Sequence, residues 1–110
     1  MRRLVEQGHK VKATVFTRES YVVHPNVEYV KLDLRTENGC AEFVAGCDFV
    51  FNCAASTAGA AVMTATPLAQ VTPNVLLNTL LIEACYRAQV GRYIFVSSSA
   101  AYPPTGEVPT

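Results

Sequence analysis

Charge is scarce in this chain. Of its 110 residues only 16% are Asp, Glu, Lys or Arg, and nine basic residues balance nine acidic ones to a formal charge of zero. A neutral chain lacks the field that gathers polyanions, so neither nucleic acid nor an anionic membrane is expected as a partner. Arg2, Arg3, Lys10, Lys12 and Arg18 crowd the first eighteen positions against one acid, Glu6. They read as a solvated helix face rather than a targeting peptide, because Gly8 and the run VKATVF interrupt the segment so early. A long hydrophobic run is lacking too. The apolar stretch 49–63 is broken by Asn52, Ser56, Thr57 and Gly59, which excludes a membrane-spanning helix there. The four cysteines contain no C-x-x-C pair, and neither His is placed to complete a zinc site, so no metal centre is expected. Cys53 and Cys85 sit inside apolar runs, where a thiol behaves as a small hydrophobe, and a reducing, cytoplasmic setting fits best. Repeats, low-complexity segments and linkers are absent.

What is present suits one globular domain. Half of the residues are hydrophobic, enough for a core in one domain of this length but not for two. RRLVEQG (2–8) reads as the end of a helix capped by Gly8. Val11, Ala13 and Val15 alternate with Lys12 and Thr14, which predicts a strand over 11–17. A turn around Pro25–Asn26 leads into a second strand, VEYVKLDL (27–34). TENGCAEFVAG (36–46) predicts a short helix ending at Gly46. DFVFNCAA (48–55) predicts a strand buried on both faces. STAGAAVMTA (56–65) reads as a small-residue loop.

Thr66–Pro67 and Thr72–Pro73 both have the form of a helix start, an N-cap Thr before Pro at the first helical position. The second is expected to open the long helix 73–89, with Glu83 and Arg87 paired on its outer side and Gly91 ending it. RYIFVSSS (92–99) follows as a fourth strand, and a Pro/Gly loop closes the chain. The order α-β-β-α-β-α-β predicts an α/β domain with a parallel sheet and right-handed crossovers.

In order and spacing, LVEQGHKVKATVFTR, VEYVKLDL, GCDFVFNCAA, PNVLLNTLLIEAC and VGRYIFVSSSAAYP resemble the extended short-chain dehydrogenase/reductases. Within them the resemblance is to the NAD-dependent epimerase/dehydratase group acting on nucleotide sugars. It covers nearly the whole chain and implies a Rossmann-like, doubly wound parallel sheet over residues 1–110. It also implies roles by position. Arg18 falls where such enzymes meet the adenosine ribose, where an Arg accommodates a 2′-phosphate and tilts the cofactor from NAD toward NADP. The rival reading is a solvated Arg at a strand end. Asp33 and Leu34 match the D-[LIV] pair beside the adenine, against an Asp that simply begins a turn. Cys53, Ala54 and Ala55 match a small-residue segment that lets the backbone approach the cofactor. Asn74 matches an Asn near cofactor and catalytic site, against a residue that only helps start a helix.

The stretch FVSSSAAYP carries the chemistry. In the family a catalytic Ser or Thr lies four residues before a Tyr followed by Gly or Pro; Tyr102–Pro103 puts that position at Ser98, with Ser99 the alternative if the register slips. The Ser98 hydroxyl would hold the substrate oxygen while hydride moves. Ser97 is then assigned to the strand end beside the cofactor. In one branch, the GDP-fucose synthases, a Cys two residues before that Tyr is an epimerisation acid. Ala100 stands there in this sequence, so the resemblance does not extend to that route.

Two family motifs are not found. The six glycines have no G-x-x-G-x-x-G spacing, and none of the five tyrosines has Lys four residues later. The sequence is therefore expected to be an internal piece of a longer gene product. Its sheet would lack the family's first, central strand between 11–17 and 48–53, and the piece alone would bind NAD(P) poorly and not turn over. The parent is expected to be an epimerase, dehydratase or reductase with a nucleotide sugar as small-molecule substrate, and a homodimer at full length. A reductase of steroid- or flavonol-like ketones on the same fold, and a non-catalytic dinucleotide sensor or scaffold, are the alternatives.

Overall fold

The structure, a computed structural model, describes residues 1–16, 22–57 and 59–98. Eight elements follow one another: α1 (Arg2–Glu6), β1 (Val11–Val15), β2 (Val27–Lys31), α2 (Glu37–Val44), β3 (Phe49–Asn52), α3 (Ala60–Ala65), α4 (Leu68–Arg87) and β4 (Arg92–Phe95). All strand pairing is parallel, β1 with β2 and β3 with β4, in two separate two-stranded sheets. Among the described residues β1 and β3 do not pair with each other, and each keeps one unpaired edge.

Local chemistry explains the boundaries. Gly8 takes φ +86° one residue past the α1 cap, and His9 N–H bonds back to the Leu4 carbonyl, a left-handed helix end as its sequence predicts. Thr36 caps α2, its Oγ1 accepting from Gly39 N–H at 3.1 Å. Gly46, at φ +72°, completes a turn in which Cys47 N–H bonds the Val44 carbonyl.

One core lies between α2, α4 and β3, made of Leu34, Cys40, Val44, Val50, Leu77, Leu81 and Cys85. Burial pushes the Cys40 thiol up to about 11, with Cys85 and Asp33 adding to the shift. Cys85 is raised as well, by burial first and Cys47 second.

Six expectations are corrected. Residues 60–65 form a helix rather than loop. The long helix opens at Thr66–Pro67, whose carbonyls accept the first helical N–H groups, and runs straight through Thr72–Pro73. Pro73 stands inside α4, where it offers no N–H to the Ala69 carbonyl one turn back. The left-handed end of α4 is Gln89, at φ +54°, with Val90 N–H bonding the Cys85 carbonyl; Gly91 lies beyond it. β3 is buried on one face only: Val50 and Asn52 point into the core while Phe49 and Phe51 are exposed, since α2 and α4 cover a single side. Cys53 is consequently exposed and not a core thiol. The ladders are also shorter than expected, β2 ending at Lys31 and β4 at Phe95.

Candidate functional site

β3 and β4 run side by side, with Asn52 opposite Phe95 as their last pair and Val96 N–H bonding the Asn52 carbonyl. The segments that leave their carboxyl ends therefore emerge together. One is 53–57, carrying Cys53, Ala54 and Ala55; the other is 96–98, carrying Ser97 and Ser98, both exposed. In an open parallel sheet this is the edge where ligands bind.

Helix α4 fastens the first of these segments. Asn74 Oδ1 accepts from Ser56 N–H at 2.8 Å, and its Nδ2 donates to the Ser56 carbonyl at 2.8 Å. The same Nδ2 donates to the Gln70 carbonyl at 2.8 Å. One amide side chain thus uses acceptor and donors to bind the loop to the helix. Asn74 is more than a helix starter, because it lies well inside α4. An open groove along the helix, lined by Gln70, Asn74 and Asn78 among others, runs beside this clamp.

Asp33 and Leu34 sit at the end of the other strand pair, in the turn after β2. Leu34 is buried in the core, and its carbonyl accepts from the Cys40 thiol at 3.0 Å. Asp33 accepts from Arg35 three times: from its N–H at 2.9 Å, Nε at 2.8 Å and Nη2 at 2.7 Å. These bonds hold its carboxyl down to about 2. The Arg35 guanidinium also lies 5.0 Å from the centroid of the Phe16 ring at the end of β1. Arg35 thereby bridges the ends of β1 and β2 and holds the Asp33 carboxylate ionised after β2.

Of the sequence-predicted residues, the structure brings together Cys53, Ala54, Ala55, Asn74, Ser97 and Ser98 around the ends of β3 and β4. Leu34 is joined to that group through the core against which Ala54 packs, and Asp33 is its chain neighbour. Arg18 and Ser99 lie outside the described residues. Three polar side chains escaped the sequence reading: Asn52, buried at the end of β3, and its partners Asn78 and Tyr93. The visible signal was an Asn inside an otherwise apolar strand.

The whole chain, residues 1–110, matches the model of the NAD dependent epimerase/dehydratase family. A curated relative, GDP-mannose 3,5-epimerase of Arabidopsis thaliana, is 27% identical over 99% of this chain, which spans 29% of that protein's length. A mutant uronate dehydrogenase from Agrobacterium tumefaciens, solved in complex with NAD, is 25% identical and superposes with a TM-score of 0.69 over 87% of this chain and 34% of its own. A further structure, a mutated uronate dehydrogenase, gives a TM-score of 0.73 at 21% identity, over 89% of this chain and 34% of its own. The fold is Rossmann-like α/β, and the chain belongs to the NAD dependent epimerase/dehydratase family.

Proposed function

We propose that the protein containing this chain is an NAD(P)-dependent epimerase, dehydratase or reductase acting on a nucleotide sugar, and that this chain supplies part of its dinucleotide site. The observation that carries the reading is the Asn74 clamp. It fastens a segment of small residues at the carboxyl end of a parallel strand, beside the segment that bears Ser98. The curated GDP-mannose 3,5-epimerases support a nucleotide sugar.

The residues fit a dinucleotide. Ala54 and Ala55 present little side chain, so a flat ring can approach the backbone there. Asp33 and Leu34 would hold the adenine, Arg18 the adenosine ribose, and Ser97 with Asn74 the nicotinamide half. A bound nicotinamide accepts and returns hydride. The chain's own contribution is to orient that group and to hold the substrate oxygen. Ser98, or Ser99 in the alternative register, donates a hydrogen bond to that oxygen and stabilises charge on it. Arg18 tilts the choice toward NADP, which competition between the two dinucleotides for the protein tests.

The site belongs to a cytoplasmic protein with small-molecule substrates, and no helix of the described residues is long and apolar enough to cross a membrane. A homodimer is supported by the outer face of α4. Leu68, Val71, Val75, Ile82 and Tyr86 stand exposed there at spacings of three, four or seven. Sedimentation of the full-length protein tests it. Residues 1–110 alone bind NAD(P) poorly and do not turn over, a reading that fits the unpaired edges of β1 and β3.

The decisive experiment incubates the full-length protein with NAD or NADP and a panel of GDP- and UDP-linked sugars, with free uronates as a second arm. Product stereochemistry and nicotinamide absorbance are the readouts. Ser98→Ala is expected to lower kcat by about 10²–10³ while leaving dinucleotide affinity within about twofold. A wild-type protein that binds neither dinucleotide overturns the reading.

A further inference from the structure

Asn52 is 2% exposed and is the buried polar side chain among the described residues. A core position flanked by Val50 would accept a Val or Leu without penalty, since an apolar replacement leaves nothing unpaired when its partners are also apolar. Here the partners are polar, and every bonding group of the amide has one. Nδ2 donates to Asn78 Oδ1 at 2.8 Å on α4 and to the Tyr93 hydroxyl at 2.8 Å on β4. Oδ1 accepts from Ala54 N–H at 3.2 Å, two residues along the chain, the form of an Asx turn.

The three bonds depend on one another. Asn78 and Tyr93 take both Nδ2 hydrogens, which leaves Oδ1 as the atom facing Ala54. Turning the amide over would set NH₂ against N–H at Ala54 and oxygen against oxygen at Asn78. The backbone direction at Ala54 is therefore dictated from inside the core, by residues on α4 and β4. The Asn52 carbonyl meanwhile accepts from Val96 N–H at 3.3 Å, at the start of the segment that bears Ser97 and Ser98.

We propose that Asn52, held by Asn78 and Tyr93, is a positioning residue that aims the Ala54 backbone, and with it the segment 53–55, at the dinucleotide. The proposal rests on the reading that 53–55 faces that dinucleotide. Asn74 fastens the outer end of the segment to α4, and Asn52 sets its exit from β3. The two act on the same short segment at its opposite ends.

The test uses the full-length protein with two independent readouts, amide hydrogen exchange without cofactor and the Kd for NAD. Asn52→Ala is expected to speed exchange at Ala54 about tenfold, with amides in β3 and β4 unchanged, and to raise the Kd about tenfold. Asn52→Ser, which can form the same turn more weakly, restores part of the protection. Tyr93→Phe removes only one hydroxyl, moves both readouts in the same direction by less, and keeps the test available where the alanine variant fails to fold. Val50→Ala, at an equally buried site on the same face of β3, lowers Tm but leaves Ala54 exchange and the Kd within about twofold. Unchanged Ala54 exchange in Asn52→Ala overturns the hold. A Val50→Ala protein with an equal rise in Kd overturns positioning in favour of general stability. A wild type that binds no dinucleotide overturns the function on which the proposal rests, and the exchange data then report on the hold separately.

Discussion

Replacing Gly39 by Ala should destabilise the protein, against the sign that helix propensity assigns. Gly39 lies in the first turn of α2, where Ala would be favoured by up to about 1 kcal/mol. A Cβ there, however, would collide with the Asp33 carbonyl oxygen and stand 2.9 Å from Thr36 Oγ1. The carbonyl cannot retreat without loss, because it accepts from Thr36 N–H at 3.2 Å and from Thr36 Oγ1 at 2.9 Å. Overpacking of this kind costs about 1–3 kcal/mol. Displacing Thr36 from its cap costs about 1 kcal/mol more. Setting the propensity gain against these leaves a net loss of about 1–3 kcal/mol. At roughly 4–8 °C per kcal/mol for a domain of this size, Tm falls by about 5–20 °C. The same collision disturbs the turn that holds Asp33 and Leu34, so dinucleotide affinity falls with it. The assay is urea denaturation of both proteins, with Gly59→Ala as control, since a Cβ at Gly59 meets open space. The control should lie within about 0.5 kcal/mol of wild type. A Gly39→Ala protein as stable as wild type would falsify the close-approach account.

Three further outcomes are expected. Asn74→Ala removes the clamp on Ser56, and because Ser56 is exposed and regains water, the loss is one effective bond rather than three, about 1 kcal/mol; NAD affinity should weaken about fivefold, and no change in Kd refutes the clamp. Asp33, whose folded pKa is lowered from 3.8 to about 2 by Arg35, contributes stability that is fully present above pH 3.8 and is lost as pH falls toward 2; an NMR titration of its carboxyl should centre near 2 in wild type and move upward in Arg35→Ala. Iodoacetamide should modify exposed Cys53 before the other thiols, sparing Cys40 and Cys85 until the chain unfolds, and mass spectrometry of the native protein that finds Cys40 labelled first contradicts the burial assigned to it.

Much of this protein was legible in its residues. Alternation at Val11, Ala13 and Val15, the left-handed Gly8 and the helix end at Gly46 are local matters, decided within a few residues by sterics and hydrogen bonding. They yielded the α/β class, and the ordered motifs yielded the family. Errors fell where a decision depended on distant groups. Thr72–Pro73 has the local form of a helix start, yet α4 passes through it, because Leu77 and Leu81 pack into a core shared with α2 and β3 and hold a helix that opened earlier, at Leu68. Gln89, and not Gly91, takes the left-handed position at the helix end, since Cys85 is buried in the core and its carbonyl accepts from Val90 N–H.

The site divides in the same way. Ser98, Asn74 and the small residues 53–55 are named as candidates by motif spacing along the chain. The pairing of Asn74 with Ser56 across 18 positions, and of Asn52 with Asn78 and Tyr93 across 26 and 41, has no trace in local sequence. Those bonds exist only once β3, β4 and α4 have packed, when a buried amide must find partners or lose the free energy of its hydration. Sequence alone therefore determined the α/β class and most of the elements, and it named candidate residues for the chemistry. Tertiary structure decided which face of β3 is buried, and how a polar amide in the core comes to aim the backbone outside it.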